Sequence, residues 1–143
     1  MPIRNASARW EGGGLKAGKG SFKGETGIAG SYSFTSRFEN GAGSNPEELL
    51  ATAHAACYSM ALSVGLEKNN TPPKWIETKA ACTIEKVNDQ FTITTMQLTV
   101  RASVPGVDSA TFQRIAAGTK DACPVSRALK GNVDIKLSAA LEG

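Results

Sequence analysis

The sequence predicts an α+β fold in which antiparallel sheets surround one long central helix. The first third is rich in glycine and contains short alternating segments, and an apolar, alanine-rich helical segment runs from Asn45 to Asn70. A strand hairpin, two further helices and a last strand follow. This grouping is typical of α+β proteins rather than of parallel α/β proteins. Residues 1–143 are predicted to form a single domain, because nothing in the composition indicates a second.

The composition narrows the class of protein. With 143 residues, 41% of them hydrophobic, the chain is long enough to bury a sizeable core. The net charge of +3 comes from scattered residues, so charge alone does not call for a nucleic-acid or membrane partner. The sequence shows no secretory signal, and we expect no apolar run of the roughly 20 residues that a membrane span requires. A soluble, cytoplasmic protein is therefore expected.

The glycine-rich first third is predicted to form a small antiparallel sheet. The segments SARWE, SFKGE and SYSFTSRF are interpreted as its strands, with glycines supplying the turns between them. The stretch GKGSFKG has a superficial likeness to a phosphate-binding loop. Its glycine spacing matches neither of the two usual phosphate-loop patterns, so phosphate binding is not predicted here.

The central helix has a well-marked start. Asn45 is a favourable N-cap, Pro46 suits the first helical position, and Glu47 and Glu48 place negative charge in the first turn, where the helix dipole favours it. Small and apolar residues then recur at three- and four-residue steps, namely Leu49, Ala53, Ala56, Cys57, Met60, Ala61 and Val64. On this pattern alone, Cys57 is interpreted as a small buried hydrophobic residue.

A hairpin is predicted after the helix. The first strand has its apolar residues on one parity, Ile76, Ala80, Cys82 and Ile84, which predicts a half-buried strand with Cys82 facing the core. Asn88 and Asp89 mark the turn. The apolar parity of the return strand changes along its length, which predicts a bulge near Thr94 or Thr95.

Two helices and a strand complete the chain. Asp108 or Ser109 is predicted to cap a helix that ends near Ala122. Cys123 is followed directly by a proline and a second, short helix, so its sulfur lies at a helix N-terminus, where backbone N–H groups stabilise a thiolate. Apolar residues alternate in the final segment, at Val133, Ile135 and Leu137, which predicts a last strand.

The number and spacing of the histidine and cysteine residues argue against several kinds of chemistry. His54 is the one histidine and the chain has no CxxC pair, so a metal site of ordinary composition is not expected. No cofactor is expected either. Three widely spaced cysteines argue against a structural disulfide framework. His54 lies three residues before Cys57, and this spacing permits hydrolase chemistry that uses both residues. An alanine-rich helix face disfavours such a site.

Thiol redox chemistry fits the cysteines better. It needs a reactive thiolate, a nearby cation and a second thiol that resolves the oxidised first one. Cys57 and Cys123 are the two candidate thiols, and Arg37, shortly before the central helix, is the candidate cation. From local sequence alone, Arg37 also fits an ordinary exposed arginine at a strand end.

Two separated segments carry a family resemblance. RFENGAGSNPEELLATAHAACYSMAL and DACPVSRALKGNVDIKL resemble the osmotically inducible protein C and organic hydroperoxide resistance (OsmC/Ohr) family, and the likeness extends from RWEG to the last strand. Because Arg37 lies shortly before NPEEL, the chain is most similar to the OsmC branch. The resemblance implies a cysteine-based peroxidase that reduces organic hydroperoxides in defence against oxidative stress. It also implies an intertwined homodimer with its sites at the subunit interface.

The resemblance also implies roles for individual residues. Cys57 would be the peroxidatic thiol and Cys123 the resolving thiol, with a disulfide forming between them during the cycle. Arg37 would stabilise the Cys57 thiolate and polarise the peroxide, and Glu47 would hold Arg37 by an ion pair. An external dithiol, for which the family suggests a lipoyl-bearing protein, would reset the pair. The family has histidine or tyrosine at the position of His54, which argues against a general base there, and Cys82 has no counterpart in its motifs.

The spacing along the central helix leads to a prediction about the dimer. Glu47 and Cys57 are ten residues apart, which separates them by about 15 Å along the axis of a straight helix. Two such helices packed antiparallel and crossing near Thr52 would bring Glu47 of one subunit level with Cys57 of the other. We therefore expect a homodimer with composite sites.

Two other functions remain open at this point. A non-catalytic dimer that senses redox state or binds a ligand would form the same disulfide without turnover. Nucleic-acid binding through Lys16, Lys19 and Lys23 ranks last, because aromatic residues are sparse around these lysines and no recognised module fits.

Overall fold

The computed structural model describes residues 1–142. The strands are β1 (Ala6–Glu11), β2 (Lys19–Gly24), β3 (Ala29–Tyr32), β4 (Trp75–Val87), β5 (Gln90–Ser103) and β6 (Asp134–Glu142). The helices are α1 (Phe34–Phe38), α2 (Pro46–Lys68), α3 (Ser109–Ala122) and α4 (Pro124–Leu129). The chain divides into two compact units, Met1–Leu49 and Leu50–Gly143.

The first unit contains the small antiparallel sheet that the glycine-rich segment predicted. Its strands lie in the order β1-β2-β3, and both pairings are antiparallel. The ring of Tyr32 packs against Trp10 and Phe22, with centroids 5.4 and 6.1 Å away. Gly20 lies directly against Tyr32, where a Cβ atom would collide with the ring. The absence of a side chain at Gly20 therefore permits this aromatic packing.

The interpretation of SYSFTSRF as one strand is wrong in its second half. The strand β3 ends at Tyr32, and Phe34–Phe38 forms the short helix α1. Ser33 caps this helix: its side chain accepts from the backbone N–H of Ser36, and the Ser36 hydroxyl accepts from the Ser33 N–H. This capping box satisfies two backbone donors at once and turns the chain out of the sheet.

The second unit contains the predicted hairpin. β4 and β5 pair antiparallel, and Asn88 and Asp89 in the turn both have positive φ, of 50° and 67°. Thr83 pairs with Thr95 and Ile84 with Ile93, so the register skips one residue between them. That extra residue is the bulge that the parity change predicted near this point.

The last strand makes this sheet mixed rather than purely antiparallel. β6 pairs parallel with β5, from Thr95 opposite Asp134 to Ser103 opposite Glu142. Parallel neighbours need a crossover connection, and α3 and α4 provide it between β5 and β6. Expecting antiparallel pairing throughout was therefore too simple for this sheet.

The core of the second unit lies between helices and sheet. Its buried hydrophobic residues are Tyr58, Leu62, Leu66, Met96, Leu98, Val100, Ala102, Val104, Phe112, Ala116 and Cys123. Cys82 is half-buried and packs against this cluster, as the strand pattern predicted. α3 is capped by Asp108 and buries Phe112, Ala116 and Thr119, which matches the predicted helix.

Helix α2 begins as predicted and buries a different face. The side chain of Asn45 accepts from the Glu48 N–H at 2.7 Å, so Asn45 is the N-cap. The part of α2 that lies in the second unit buries His54, Tyr58, Leu62 and Leu66, which follow one another at four-residue steps. Of the predicted apolar face, Cys57 and Ala61 pack against this core, whereas Ala53, Ala56, Met60 and Val64 are exposed.

α2 has the predicted length but is more apolar than expected. It has 23 residues and an 18-residue window of mean hydropathy 1.4, which is enough to cross a membrane by these two criteria. The expectation that no apolar run reaches this length is therefore wrong. The core helices of soluble proteins meet the same criteria, and α2 supplies three fully buried residues to the core. Only 22% of the window is buried, so α2 has a long exposed apolar face.

Candidate active site

Two of the three cysteines meet in the second unit. Cys57 is half-buried on α2, and Cys123 is fully buried at the junction of α3 and α4. Cys57 packs against the buried cluster that contains Cys123, and Cys123 is close enough to raise the pKa of the Cys57 thiol. The thiols are not joined in a disulfide, so the structure corresponds to the reduced pair. This arrangement supplies the two adjacent thiols that reversible disulfide chemistry requires.

The junction at Cys123 explains how its sulfur is held. Cys123 is both the C-cap of α3 and the N-cap of α4, and Pro124 begins α4. The Cys123 Sγ accepts hydrogen bonds from the backbone N–H and from the hydroxyl of Ser126, each at 3.4 Å. The predicted position of Cys123 at a helix N-terminus is confirmed.

The surroundings of Cys57 act on its thiol in opposite directions. Burial raises the pKa of Cys57, and the neighbouring Cys123 raises it further, whereas the backbone N–H of Val125 donates to the sulfur and lowers it. The increase is larger than the decrease, so the second unit by itself favours the protonated thiol. A cation placed beside the Cys57 sulfur would act in the opposite direction and lower this pKa.

Three polar side chains are buried beside the thiols. His54 Nε2 lies 2.8 Å from the Ser126 hydroxyl, and burial lowers the pKa of His54. The Tyr58 hydroxyl donates to the Ala116 carbonyl at 2.9 Å, and burial and the adjacent Cys123 raise the pKa of Tyr58. Sequence reasoning missed Ser126. Its signal was the three-residue step from Cys123, which places a hydroxyl at the third helical position, facing the capping residue.

The other two candidate residues meet in the first unit. Arg37 on α1 contacts Glu47 in the first turn of α2: Nε lies 3.1 Å from Oε1 and 3.3 Å from Oε2, and Nη2 lies 2.8 Å from Oε1. The Glu47 side chain is 7% exposed and that of Arg37 is 32% exposed. The predicted ion pair is thus present in a partly buried, bidentate form, which is stronger and better oriented than a surface pair.

Local hydrogen bonds keep α1 close to the start of α2. The Ser36 hydroxyl donates to the Ser44 carbonyl at 2.6 Å, and the Asn45 side chain donates to the Ser36 carbonyl at 3.1 Å. Asn45 thereby caps α2 and binds α1 with the same side chain. These contacts hold Arg37 and Glu47 at a fixed separation.

A cavity in the first unit opens onto Arg37. It has a volume of about 480 Å³. Most of the side chains that line it are aromatic or aliphatic, namely Trp10, Leu15, Tyr32, Phe34 and Phe38, and Arg37 lines it as well. The Arg37 guanidinium also lies 5.2 Å from the centre of the Phe38 ring. The cavity therefore combines apolar walls with one guanidinium, a composition suited to an apolar molecule with a polar end.

Comparisons with known proteins agree with this chemistry. Residues 39–138 match the sequence model of the family described as OsmC-like protein. Over 134 residues the chain is 42% identical to the peroxiredoxin OsmC of Escherichia coli K12, covering 92% of this chain and 93% of that protein. Over 101 residues it is 32% identical to the organic hydroperoxide resistance protein of Xanthomonas axonopodis pv. citri, covering 70% and 69%.

Solved structures show the same fold. The organic hydroperoxide resistance protein OhrB of Bacillus subtilis matches with a TM-score of 0.73 at 24% identity, covering 96% of this chain and 98% of that one. An OsmC-like protein from Mycoplasma pneumoniae matches with a TM-score of 0.77 at 12% identity, covering 99% of each chain. At these identities the likeness concerns the fold alone.

Proposed function

Because this chain belongs to the OsmC-like protein family and is a cysteine-based peroxidase that reduces organic hydroperoxides, we propose that Cys57 is its peroxidatic thiol and Cys123 its resolving thiol. The observation that carries this assignment is that the two thiols are neighbours in the second unit, where Cys57 packs against the buried cluster that contains Cys123 and Cys123 raises the pKa of Cys57. Cys57 is half-buried and Cys123 is fully buried, so Cys57 is the more accessible of the two. We further propose that residues 1–143 act as one OsmC-like domain.

The proposed cycle has three steps. The Cys57 thiolate attacks the terminal oxygen of the hydroperoxide; the O–O bond breaks, the alkoxide leaves and takes up a proton, and Cys57 becomes a sulfenic acid. The Cys123 thiolate then attacks the Cys57 sulfur, an S–S bond replaces the S–O bond, and hydroxide leaves and is protonated to water. A reductant returns the disulfide to two thiols. We propose that this reductant is an external dithiol, such as a lipoyl-bearing protein.

Arg37 and Glu47 complete the proposed site. Arg37 supplies the positive charge that stabilises the Cys57 thiolate and polarises the peroxide, and Glu47 holds the guanidinium in orientation. Glu47 engages Nε and Nη2 of Arg37, which leaves the Nη1 edge directed away from the carboxylate. The apolar cavity beside Arg37 favours alkyl or fatty-acid hydroperoxides over hydrogen peroxide.

We propose that the active form is a homodimer whose sites combine residues of both subunits. α2 is continuous from Pro46 to Lys68, so Glu47 and Cys57 are about 15 Å apart along its axis. The surroundings of Cys57 within the second unit raise its pKa, and a neighbouring cation would lower it and stabilise the thiolate. Arg37 of the partner subunit would be that cation if two α2 helices packed antiparallel. The exposed small and apolar face of α2 would allow close approach of the two helices.

We also propose a soluble protein acting in the cytoplasm, with no nucleic-acid or membrane partner. α2, apolar as it is, then has its exposed face covered by the second subunit rather than by lipid. The acidic residues Glu47 and Glu48 in its first turn are consistent with a helix that begins within the protein.

The test of the assignment is peroxide consumption by single cysteine variants. Cys57→Ser should abolish turnover of cumene hydroperoxide with a dithiol. Cys123→Ser should still be oxidised once at Cys57 and should accumulate a sulfenic acid that a dimedone probe traps. Cys82→Ser is the matched control and should turn over like the unchanged protein. Full turnover by Cys57→Ser would refute the assignment, and multiple turnovers with a dithiol separate a peroxidase from a non-catalytic sensor.

A further inference from the structure

Two buried polar side chains, His54 and Ser126, form a line of hydrogen bonds that ends at the Cys123 sulfur. His54 Nε2 lies 2.8 Å from the Ser126 Oγ, and the Ser126 Oγ lies 3.4 Å from the Cys123 Sγ. His54 and Cys123 are 0% exposed and Ser126 is 2% exposed. Water therefore does not compete for these hydrogen bonds, and each counts for more than it would at the surface.

The number of hydrogens that each group carries decides which atom donates and which accepts in these hydrogen bonds. A serine hydroxyl has one hydrogen, and in Ser126 it is donated to the Cys123 sulfur. The Ser126 oxygen is then an acceptor toward His54, so the neutral imidazole carries its proton on Nε2 and donates it. His54 Nδ1 is buried and makes no hydrogen bond among the residues that the structure describes. Two N–H groups on the ring would leave one donor buried without a partner, which favours the neutral ring with a bare Nδ1.

Burial acts on the ring in the same direction. It lowers the pKa of His54, so the imidazole stays neutral near pH 7. A neutral ring that already holds its proton on Nε2 is a hydrogen-bond donor to Ser126 and cannot accept the Cys123 proton through that hydroxyl. His54 therefore donates to Ser126, Ser126 donates to the Cys123 sulfur, and neither side chain accepts a proton from that sulfur.

We propose that His54 and Ser126 are positioning residues for the resolving step, forming a donor chain that stabilises the Cys123 sulfur as a thiolate while it attacks the oxidised Cys57. This inference rests on the proposed role of Cys123 as the resolving thiol. The thiolate displaces hydroxide from the Cys57 sulfenic acid, and the hydroxide combines with the proton released by Cys123 to give water. His54 and Ser126 exchange no proton in the step.

The two half-reactions separate this role from a structural one. Single-turnover mixing with cumene hydroperoxide, with the sulfenic acid trapped by dimedone and free thiols counted over time, measures oxidation of Cys57 and closure of the disulfide independently. In His54→Phe and Ser126→Ala, oxidation of Cys57 should stay within about twofold of the unchanged protein. Closure should slow by about tenfold or more, because a hydrogen bond to a charged sulfur is lost.

Two further variants provide rescue and control. His54→Gln retains an amide N–H that can reach the Ser126 oxygen, and it should recover most of the closing rate. Thr119→Val removes another buried hydroxyl, which donates its hydrogen bond to the Ile115 carbonyl at 2.8 Å. It should close at the unchanged rate.

Two results would overturn the inference: closure at the unchanged rate in both His54→Phe and Ser126→Ala, or closure by His54→Gln as slow as by His54→Phe. A different failure concerns the proposed function instead. If the unchanged protein oxidises Cys57 without then forming a Cys57–Cys123 disulfide, Cys123 is not the resolving thiol.

Discussion

The guanidinium of Arg37 and the carboxylate of Glu47 form a bidentate contact, with Nη2 to Oε1 at 2.8 Å and Nε to Oε1 at 3.1 Å. Glu47 is among the few buried charged residues, and it lies in the first turn of α2, where the helix dipole also favours its charge. Arg37 comes from α1, a helix of five residues that depends on its capping box. The orientation of one cation thus depends on the starts of two helices.

Replacement of Glu47 should impair catalysis through Arg37. Glu47→Gln keeps the shape of the side chain but removes the charge that orients the guanidinium. Hydrogen bonds to charged groups contribute about 1.5–3 kcal/mol, so kcat/KM for an organic hydroperoxide should fall about 10- to 100-fold. Steady-state peroxide consumption with a dithiol measures the change.

The matched control for this variant is its neighbour. Glu48→Gln removes the next carboxylate of the same turn, which is exposed and accepts a hydrogen bond from the Ser44 hydroxyl at 3.0 Å. Its kcat/KM should stay within about twofold of the unchanged protein, in keeping with the small effects of surface charges. Equal losses in both variants would mean that the first turn matters only for the stability of α2.

A charge on the exposed face of α2 should separate the subunits. Met60 is 74% exposed on this face, and in the proposed dimer Met60→Glu would bury an unpaired carboxylate. Light scattering should show the monomer mass at concentrations where the unchanged protein is a dimer. Peroxide turnover should fall together with the dimer fraction, because each site needs both subunits.

The control for dimerisation is a similar change elsewhere in the second unit. Val87 is 41% exposed at the end of β4, beside the hairpin turn. Val87→Glu adds the same charge and should leave both the mass and the turnover unchanged. A Met60→Glu variant that remains an active dimer at low micromolar concentration would contradict the composite site.

The neutral state of buried His54 should be visible in the pH dependence of stability. Burial lowers the pKa of His54 in the folded chain below the 6.5 of an exposed imidazole. Between these two values the unfolded chain binds a proton that the folded chain does not, so the free energy of unfolding decreases as the pH falls below about 6.5. His54 is the one histidine in the sequence, so a single variant removes this effect.

Urea unfolding at about pH 7.5 and about pH 5 measures this effect. The urea midpoint of the unchanged protein should fall more between the two pH values than that of His54→Gln. Carboxylates titrate in both proteins, and their contribution cancels in the comparison. An equal decrease in the two proteins would mean that His54 titrates normally in the folded state.

Replacing each of two helical glycines by alanine should change the stability of the fold in opposite directions. A Cβ at Gly65 on α2 would lie 2.9 Å from the Cγ2 of Ile115, a stiff β-branched side chain on α3. At Gly118 on α3 it would have nothing within 4 Å. Gly118→Ala should therefore stabilise the fold by about 0.5–1 kcal/mol through helix propensity, whereas Gly65→Ala should destabilise it by about 1–3 kcal/mol through overpacking.

Thermal or urea unfolding of the two variants checks this pair. If Gly65→Ala were also stabilising, α2 and α3 would be packed more loosely at this point than the Ile115 contact indicates. Substituting Ile115→Ala in the Gly65→Ala background should relieve part of the overpacking, and the two changes should be non-additive because the residues touch.

Local signals in the sequence predicted most of the secondary structure. The cap at Asn45, the capped helix after Asp108 and the turn at Asn88 each depend on residues within one or two turns of each other. The bulge could also be predicted from the sequence, because a change of apolar parity in a strand has few other causes. α1 was missed because its capping box uses two serines in a segment of aromatic residues that otherwise suits a strand.

The sequence by itself identified the family and most of the helix and strand positions, and it named four candidate site residues, Arg37, Glu47, Cys57 and Cys123. Only the tertiary structure decided which face of α2 enters the core and that β6 runs parallel to β5. An alanine-rich helix presents small apolar residues on every side, so periodicity does not distinguish the core face from an exposed one. Nor could local sequence pair His54 with Ser126, which are 72 positions apart, since their contact exists only once the chain has folded and removed both from water.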